Sequence, residues 1–108
     1  VGGKLLFVGV LDVLEGEDFP LVLPSVMVVN RWCGGAGEHH ERVRLVAASG
    51  EAVAVGRDLS FAPEGDVDAC MVATRFTNVS LPAPGVLWVE VFLDGAMHRR
   101  YPVVVEAV

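Results

Sequence analysis

Pro84-Gly-Val-Leu-Trp-Val-Glu-Val-Phe-Leu-Asp-Gly-Ala-Met-His-Arg-Arg-Tyr-Pro-Val-Val-Val105 reads as a β-hairpin. Leu87, Val89, Val91 and Leu93 recur with period two, so on a strand they share one apolar face while Glu90 points the other way. Asp94-Gly95 supplies the turn: Asp tolerates positive φ and Gly adopts it without steric cost, as a two-residue hairpin of the mirror-image type requires. Val86, Trp88 and Phe92 then fall on the face of Glu90. One face of an antiparallel sheet is usually polar, so a second apolar face implies a cover. That cover is either a loop or a preceding strand of the same chain, or a second subunit, where aromatic side chains are enriched. Val86, Trp88 and Phe92 are therefore the candidate interaction face.

Outward from the hairpin, composition points the same way. The 108 residues fit one domain, 1–108, and suffice for an ordinary core without disulfides. Valine occurs 22 times against 11 leucines and no isoleucine, and β-branched side chains lose rotamer entropy in helices but pack well on a pleated surface. The expected class is all-β. Fourteen acidic residues against eight basic ones give a formal charge of −6, and an acidic surface repels a phosphate backbone, so nucleic acid is not an expected partner. The longest uncharged run, Phe76 to Val89, contains Pro82, Pro84 and Gly85 and is too short to span a bilayer, so no transmembrane segment is expected. No basic segment followed by an apolar core opens the chain. The expected compartment is the cytoplasm. Because the first residue is Val1, an N-terminal segment of the gene product is expected to be missing.

Taken in order, the chain alternates extended runs and turns. Leu5 to Leu11 is read as a strand, and Asp12 to Asp18 as an acidic loop or short helical turn closed by Phe19-Pro20. Leu23-Pro24 favours extended backbone, and a second strand is expected from Ser25 to Trp32. Cys33 to His39 is glycine-rich and read as a loop. Arg42 to Leu45 alternates charged and apolar residues as a half-exposed strand would, although Val43, Val46 and Ala47 also fit helical spacing until Ser49-Gly50. Two strands joined by Ala48 to Glu51 are preferred, with Arg57 to Phe61 extending the second and Ala62 to Asp68 forming another acidic loop. Cys70 to Asn78 places Val72 and Phe76 on one face and Met71, Ala73 and Arg75 on the other. Pro102 cannot donate to a ladder and belongs at an edge or bulge. About seven strands with short turns predict a single antiparallel β-sandwich, immunoglobulin-like.

Chemistry-bearing clusters are few. Glu38-His39-His40-Glu41 holds the atoms for metal or acid/base work, so His39, His40 and Glu38 are the metal candidates. On a strand, however, His39 and Glu41 share one side and His40 takes the other, which leaves two ligands where zinc wants three or four. Gly35-Ala36-Gly37 begins like a dinucleotide fingerprint, but His40 stands at the third glycine position and no helix-forming segment follows. Glu15 to Asp18 and Glu64 to Asp68 lack the spacing of a calcium loop and read as solvated loops. Asn78-Val79-Ser80 matches a glycosylation acceptor by chance, and no serine sits in a nucleophile elbow. Cys33 and Cys70 form no CxxC motif and could be bonded or free.

Gly3-Lys4-Leu5 with Gly9 following, Phe19-Pro20, Gly37-Glu38-His39, the Ser49-Gly50 turn, and Pro84-Gly85 leading to Asp94-Gly95 resemble a bacterial family of small β-sandwich domains of unknown function. The resemblance spans nearly the whole chain and implies an additional strand before Gly3-Lys4-Leu5; it implies no catalytic residues. The expected function is a non-catalytic interaction or structural module without a cofactor. Its partner would be another protein or a second copy, met through Val86, Trp88 and Phe92 or an unpaired edge strand. The alternative is a metal-dependent enzyme or small-ligand binder using Gly34 to Glu41.

Overall fold

The computed structural model describes residues 6–7, 13–33, 37–63 and 69–108, with side chains from Gly16 onward. These residues are all-β. They form β1 (Leu6–Phe7), β2 (Val13–Gly16), β3 (Leu21–Cys33), β4 (His39–Val46), β5 (Ala52–Val55), β6 (Leu59–Phe61), β7 (Ala69–Leu81), β8 (Gly85–Leu93) and β9 (Ala96–Ala107). Seven of these strands run four residues or more. One sheet has the order β1-β3-β7 and the other β2-β9-β8-β4-β5, with β6 also paired to β4. Val28, Trp32, Val72 and Phe76 from the first sheet meet Val43, Leu45, Val89 and Val91 from the second in one core. That shared core makes the pair of sheets a sandwich, and each such buried aliphatic side chain stabilises it by about 1.5–3 kcal/mol.

The hairpin forms as its sequence predicts. Asp94 and Gly95 both hold positive φ, 50° and 84°, and join β8 to β9. Leu87, Val89 and Val91 are buried on the core side. The register steps from Val91↔Arg99 to Phe92↔Met97, so His98 is the extra residue of a bulge. Pro102 sits opposite Trp88, and β2 pairs with β9 only from Val104 onward, so no described strand needs a donor from the other side of β9 at Pro102.

Three departures from the sequence expectations have physical causes. Val13 to Gly16, placed in an acidic loop, is a strand and runs parallel to Val104–Ala107 of β9. It is the one parallel pair among otherwise antiparallel neighbours in the described residues. Arg57 to Phe61 does not extend β5. Gly56 turns the chain there, its N–H bonding Val43 O at 2.8 Å, and β6 then pairs separately with His39–Glu41. A Cβ on Gly56 would stand 2.8 Å from Thr74 Cγ2 and 2.9 Å from Val43 O, so only glycine fits this close approach between the sheets. Finally, β3 starts at Leu21 and passes through Pro24.

Pro24 is accommodated by a paired interruption. Leu23 faces Val79 and Ser25 faces Thr77, and between them the ladder skips Pro24 and Asn78. Asn78 holds φ 53°, and inward positions shift from Val72, Thr74 and Phe76 to Val79 and Leu81. On β3 the inward set shifts in step, from Val26, Val28 and Asn30 to Leu21 and Leu23. Both strands change parity at one level, so the sheet keeps its apolar face. A β-branched residue in the left-handed region costs about 1–2 kcal/mol. Asn78→Val is therefore expected to lower unfolding stability by about that amount, and Asn78→Gly by much less. Equal losses in urea unfolding would show that the Asn78 side chain, and not its backbone, holds the site. No described helix is long and apolar enough to cross a membrane.

Candidate functional site

The outer face of the larger sheet is built in rows. Trp88 lies between Val46 and Pro102, Glu90 between Arg44 and Arg100, and Phe92 between Arg42 and Met97. Trp88 and Phe92 are half-buried, and the cover comes from the same sheet. The Arg100 guanidinium lies 3.7 Å from the Trp88 ring centroid, and that of Arg44 lies 5.2 Å from the Phe92 centroid. Glu90 ties these cations down: Arg44 Nε donates to Glu90 Oε1 at 2.8 Å and Arg100 Nε to Glu90 Oε2 at 3.2 Å. The arginine stems enclose the carboxylate, leaving it 5 % exposed. Val86 is also half-buried on this face, opposite Val104. Among the described residues, two long cationic side chains from β4 and β9 lie over Phe92 and Trp88.

The histidine cluster is split by the strand that carries it. His39, His40 and Glu41 belong to β4 and not to a loop, and Gly34 to Ala36 lie outside the described residues. His39 Nδ1 lies 2.9 Å from Asp94 Oδ2, and the His40 backbone N–H donates to Asp94 Oδ1 at 2.8 Å. The hydrogen bond with His39, then that from the His40 amide, holds the Asp94 carboxyl below the usual range. His40 turns outward, with Nε2 3.2 Å from Glu38 Oε1 and Nδ1 3.4 Å from Asp58 Oδ2. Among the described residues no three His, Cys, Asp or Glu side chains converge as a metal ion requires, so Glu38, His39 and His40 are not brought together as a ligand set. Cys33 and Cys70 are free thiols. Cys70 pairs in register with the inward-facing Trp32, so the period of two sends the adjacent Cys33 to the opposite face.

Inside the sandwich the same end of β4 carries a polar centre. Glu41 and Asn30 are fully buried and Trp32 is 1 % exposed. Glu41 Oε1 accepts hydrogen bonds from Asn30 Nδ2 and Trp32 Nε1, both at 2.8 Å. Glu41 Oε2 and Asn30 Oδ1 have no hydrogen-bond partner among the described residues. Burial pushes the Glu41 carboxyl up, outweighing the two hydrogen bonds that favour its anion. Phe61 stacks on Trp32 at 5.8 Å between centroids, and the bulged His98 meets the Trp32 ring edge-on at 5.0 Å. Counting back by twos from Leu45 through Val43 reaches Glu41, so periodicity alone carried the signal for this buried acid.

Beside the arginine ladder runs an open groove of about 650 Å³, lined by residues that include Arg42, Arg44, Val55, Asp58, Phe92 and Asp94. Its floor is β4, whose outward positions His40, Arg42 and Arg44 follow one another with period two. Its far wall is the turn from β5 to β6. This groove was not foreseen, because it depends on β5 and β6 leaving β4 uncovered between them.

A family model described as a family of unknown function, DUF6941, matches residues 1–106. No curated protein matches the chain. Among solved structures, a β-glucosidase from Listeria innocua in complex with isofagomine is similar with a TM-score of 0.62 and 17 % identity over 98 % of this chain and 16 % of that one. The Pseudomonas fluorescens alkylpurine DNA glycosylase AlkC, bound to DNA containing an abasic site analog, is similar with a TM-score of 0.58 and 11 % identity, over 96 % of this chain and 29 % of that one. The chain thus spans 16 % and 29 % of the lengths of these structures, and at such identities the likeness shows the fold alone.

Proposed function

The chain belongs to that family of unknown function, DUF6941, and from this premise we propose that it is a non-catalytic interaction module of the immunoglobulin-like kind. Its contact surface is the outer face of the larger sheet. The observation that carries this is the set of Trp88 and Phe92 under Arg100 and Arg44, since tryptophan and arginine are the side chains that most often dominate binding energy at protein interfaces. Arg42, Arg44 and Arg100 share this face with Glu90 and, by the period of two along β9, Glu106; Glu90 answers Arg44 and Arg100, which leaves Arg42 as a cation that no described carboxylate pairs, on a chain whose formal charge is −6. Charge complementarity therefore favours an acidic protein surface, which a second copy offers away from this face. Face-to-face pairing of two copies would oppose arginine to arginine, so self-association would be head-to-tail.

Light scattering tests the second copy as partner. Mass is expected to rise with protein concentration, to fall with added salt, and to stay at the monomer value in Trp88→Glu with an unchanged circular dichroism spectrum. A wild-type monomer throughout would remove self-association. Metal analysis tests the competing enzymatic reading, in which His39, His40 and Glu38 hold an ion. Near-stoichiometric metal in protein purified without chelator or nickel resin would overturn the non-catalytic assignment.

A further inference from the structure

We propose that the groove beside Phe92 receives an acidic peptide segment, one carboxylate meeting Arg42 and a neighbouring apolar side chain lying against Phe92 and Val55. This rests on the outer face being the contact surface and names the chemistry of what it contacts. Of the three nitrogen-bearing side chains along the outer side of β4, two are answered within the chain: Arg44 by Glu90, and His40, whose ring nitrogens lie against Glu38 and Asp58. Arg42 is exposed and pairs with no described carboxylate. The two acids in the groove are committed elsewhere, Asp94 to His39 and the His40 amide and Asp58 to His40. Among the described residues, what remains for an incoming ligand is the Arg42 guanidinium, a planar fork that takes a carboxylate through two parallel hydrogen bonds.

The surroundings of Arg42 select an apolar neighbour for that carboxylate. In register it faces Phe92 on β8. On its other side β5 ends at Val55, opposite Arg44, and β6 begins at Leu59, opposite Glu41, so no strand flanks Arg42 there. Val55, at the lip of this gap, is 58 % exposed, an apolar surface next to an unpaired cation. A groove of about 650 Å³ exceeds what a lone small anion fills and matches a short run of side chains. An alternating acidic and apolar peptide supplies both features at the spacing of an extended chain.

The probe is the acetylated, amidated tetrapeptide Glu-Phe-Glu-Leu, titrated into the isotope-labelled 108-residue chain and followed by amide chemical shifts, with Gln-Phe-Gln-Leu as its uncharged counterpart. Saturable shifts are expected at Arg42, Val55, Phe92 and Gly95. The glutamine peptide, and the glutamate peptide on Arg42→Gln, should each bind roughly tenfold more weakly, whereas Arg75→Gln on the other sheet should bind as the wild type does. Equal binding of the two peptides, or full affinity in Arg42→Gln, overturns the assignment of the carboxylate to Arg42. Shifts confined to Trp88 and Arg100 overturn the groove while leaving the outer face as contact surface; shifts confined to the three-stranded sheet overturn both. 3-Phenylpropanoate binding as tightly as the peptide would replace a peptide by a free organic acid.

Discussion

Glu41→Gln is expected to make the protein more stable at pH 7, by on the order of 1–3 kcal/mol, the usual cost of a buried polar group left without a partner. Glu41 is fully buried, and only Oε1 is engaged, by Asn30 and Trp32. A glutamine carbonyl accepts the same two bonds, and an uncharged amide replaces a buried carboxyl whose second oxygen has no partner among the described residues. The pH dependence carries the sign. Because burial raises the folded-state pKa above 4.5, both states hold the proton below that value and the stabilising contribution of the neutral acid is complete. As pH rises past 4.5 the unfolded chain releases its proton while the folded chain keeps it, and stability falls until the folded pKa is passed. The gap between Glu41→Gln and wild type should therefore be smallest in acid and widen upward through that window. Urea unfolding at several pH values measures it. A variant weaker than wild type by an amount that grows as pH rises through the carboxylate range would mean that Glu41 is ionised and satisfied in the fold.

Trp32→Ala is expected to cost about 3–5 kcal/mol, as other fully buried large aromatics do. Against the total of about 5–15 kcal/mol typical of a domain, that loss brings the chain near its unfolding limit. Three interactions go at once: burial of the indole, the stack with Phe61 with the edge contact to His98, and the donor to Glu41. Trp32→Phe separates them, since it keeps a ring in the layer but removes the Nε1 donor. A double-mutant cycle with Glu41→Gln then reads how much of that cost depends on the carboxyl. A Trp32→Ala protein that unfolds within about 1 kcal/mol of wild type would show this layer to be surface rather than core.

Much of the fold was legible because local patterns did not conflict. Leu87, Val89 and Val91 alternate cleanly, and Asp94-Gly95 can do little but turn. Val72 and Phe76 were likewise placed on one face, and both are buried. β2 was not legible: Val13-Leu14 sits among acids, and its strand exists through pairing with Val104 and Val105 at the far end of the chain. The displaced start of β3 has a similar origin, since Pro24 is tolerated in a sheet only because Asn78 interrupts the partner strand at the same level. At the outer face, the apolar positions Val86, Trp88 and Phe92 could be read, but not their cover. Arg44 and Arg100 come from two different strands, and only the register of β4 and β9 against β8 places both over one strand. The groove at Arg42 needed that register too, together with the gap between β5 and β6.

The parallel seam between Val13–Gly16 and Val104–Ala107 also sets an order of assembly. The β8–β9 hairpin closes over a two-residue turn and can form on the microsecond scale, whereas β2 must wait for a loop spanning almost the entire chain to close. During synthesis, β2 leaves the ribosome before β9 and has no partner among the described residues until that strand follows it. It is thus among the last pieces to dock and, with four residues in the seam, among the first to exchange its amide protons when the native protein opens locally.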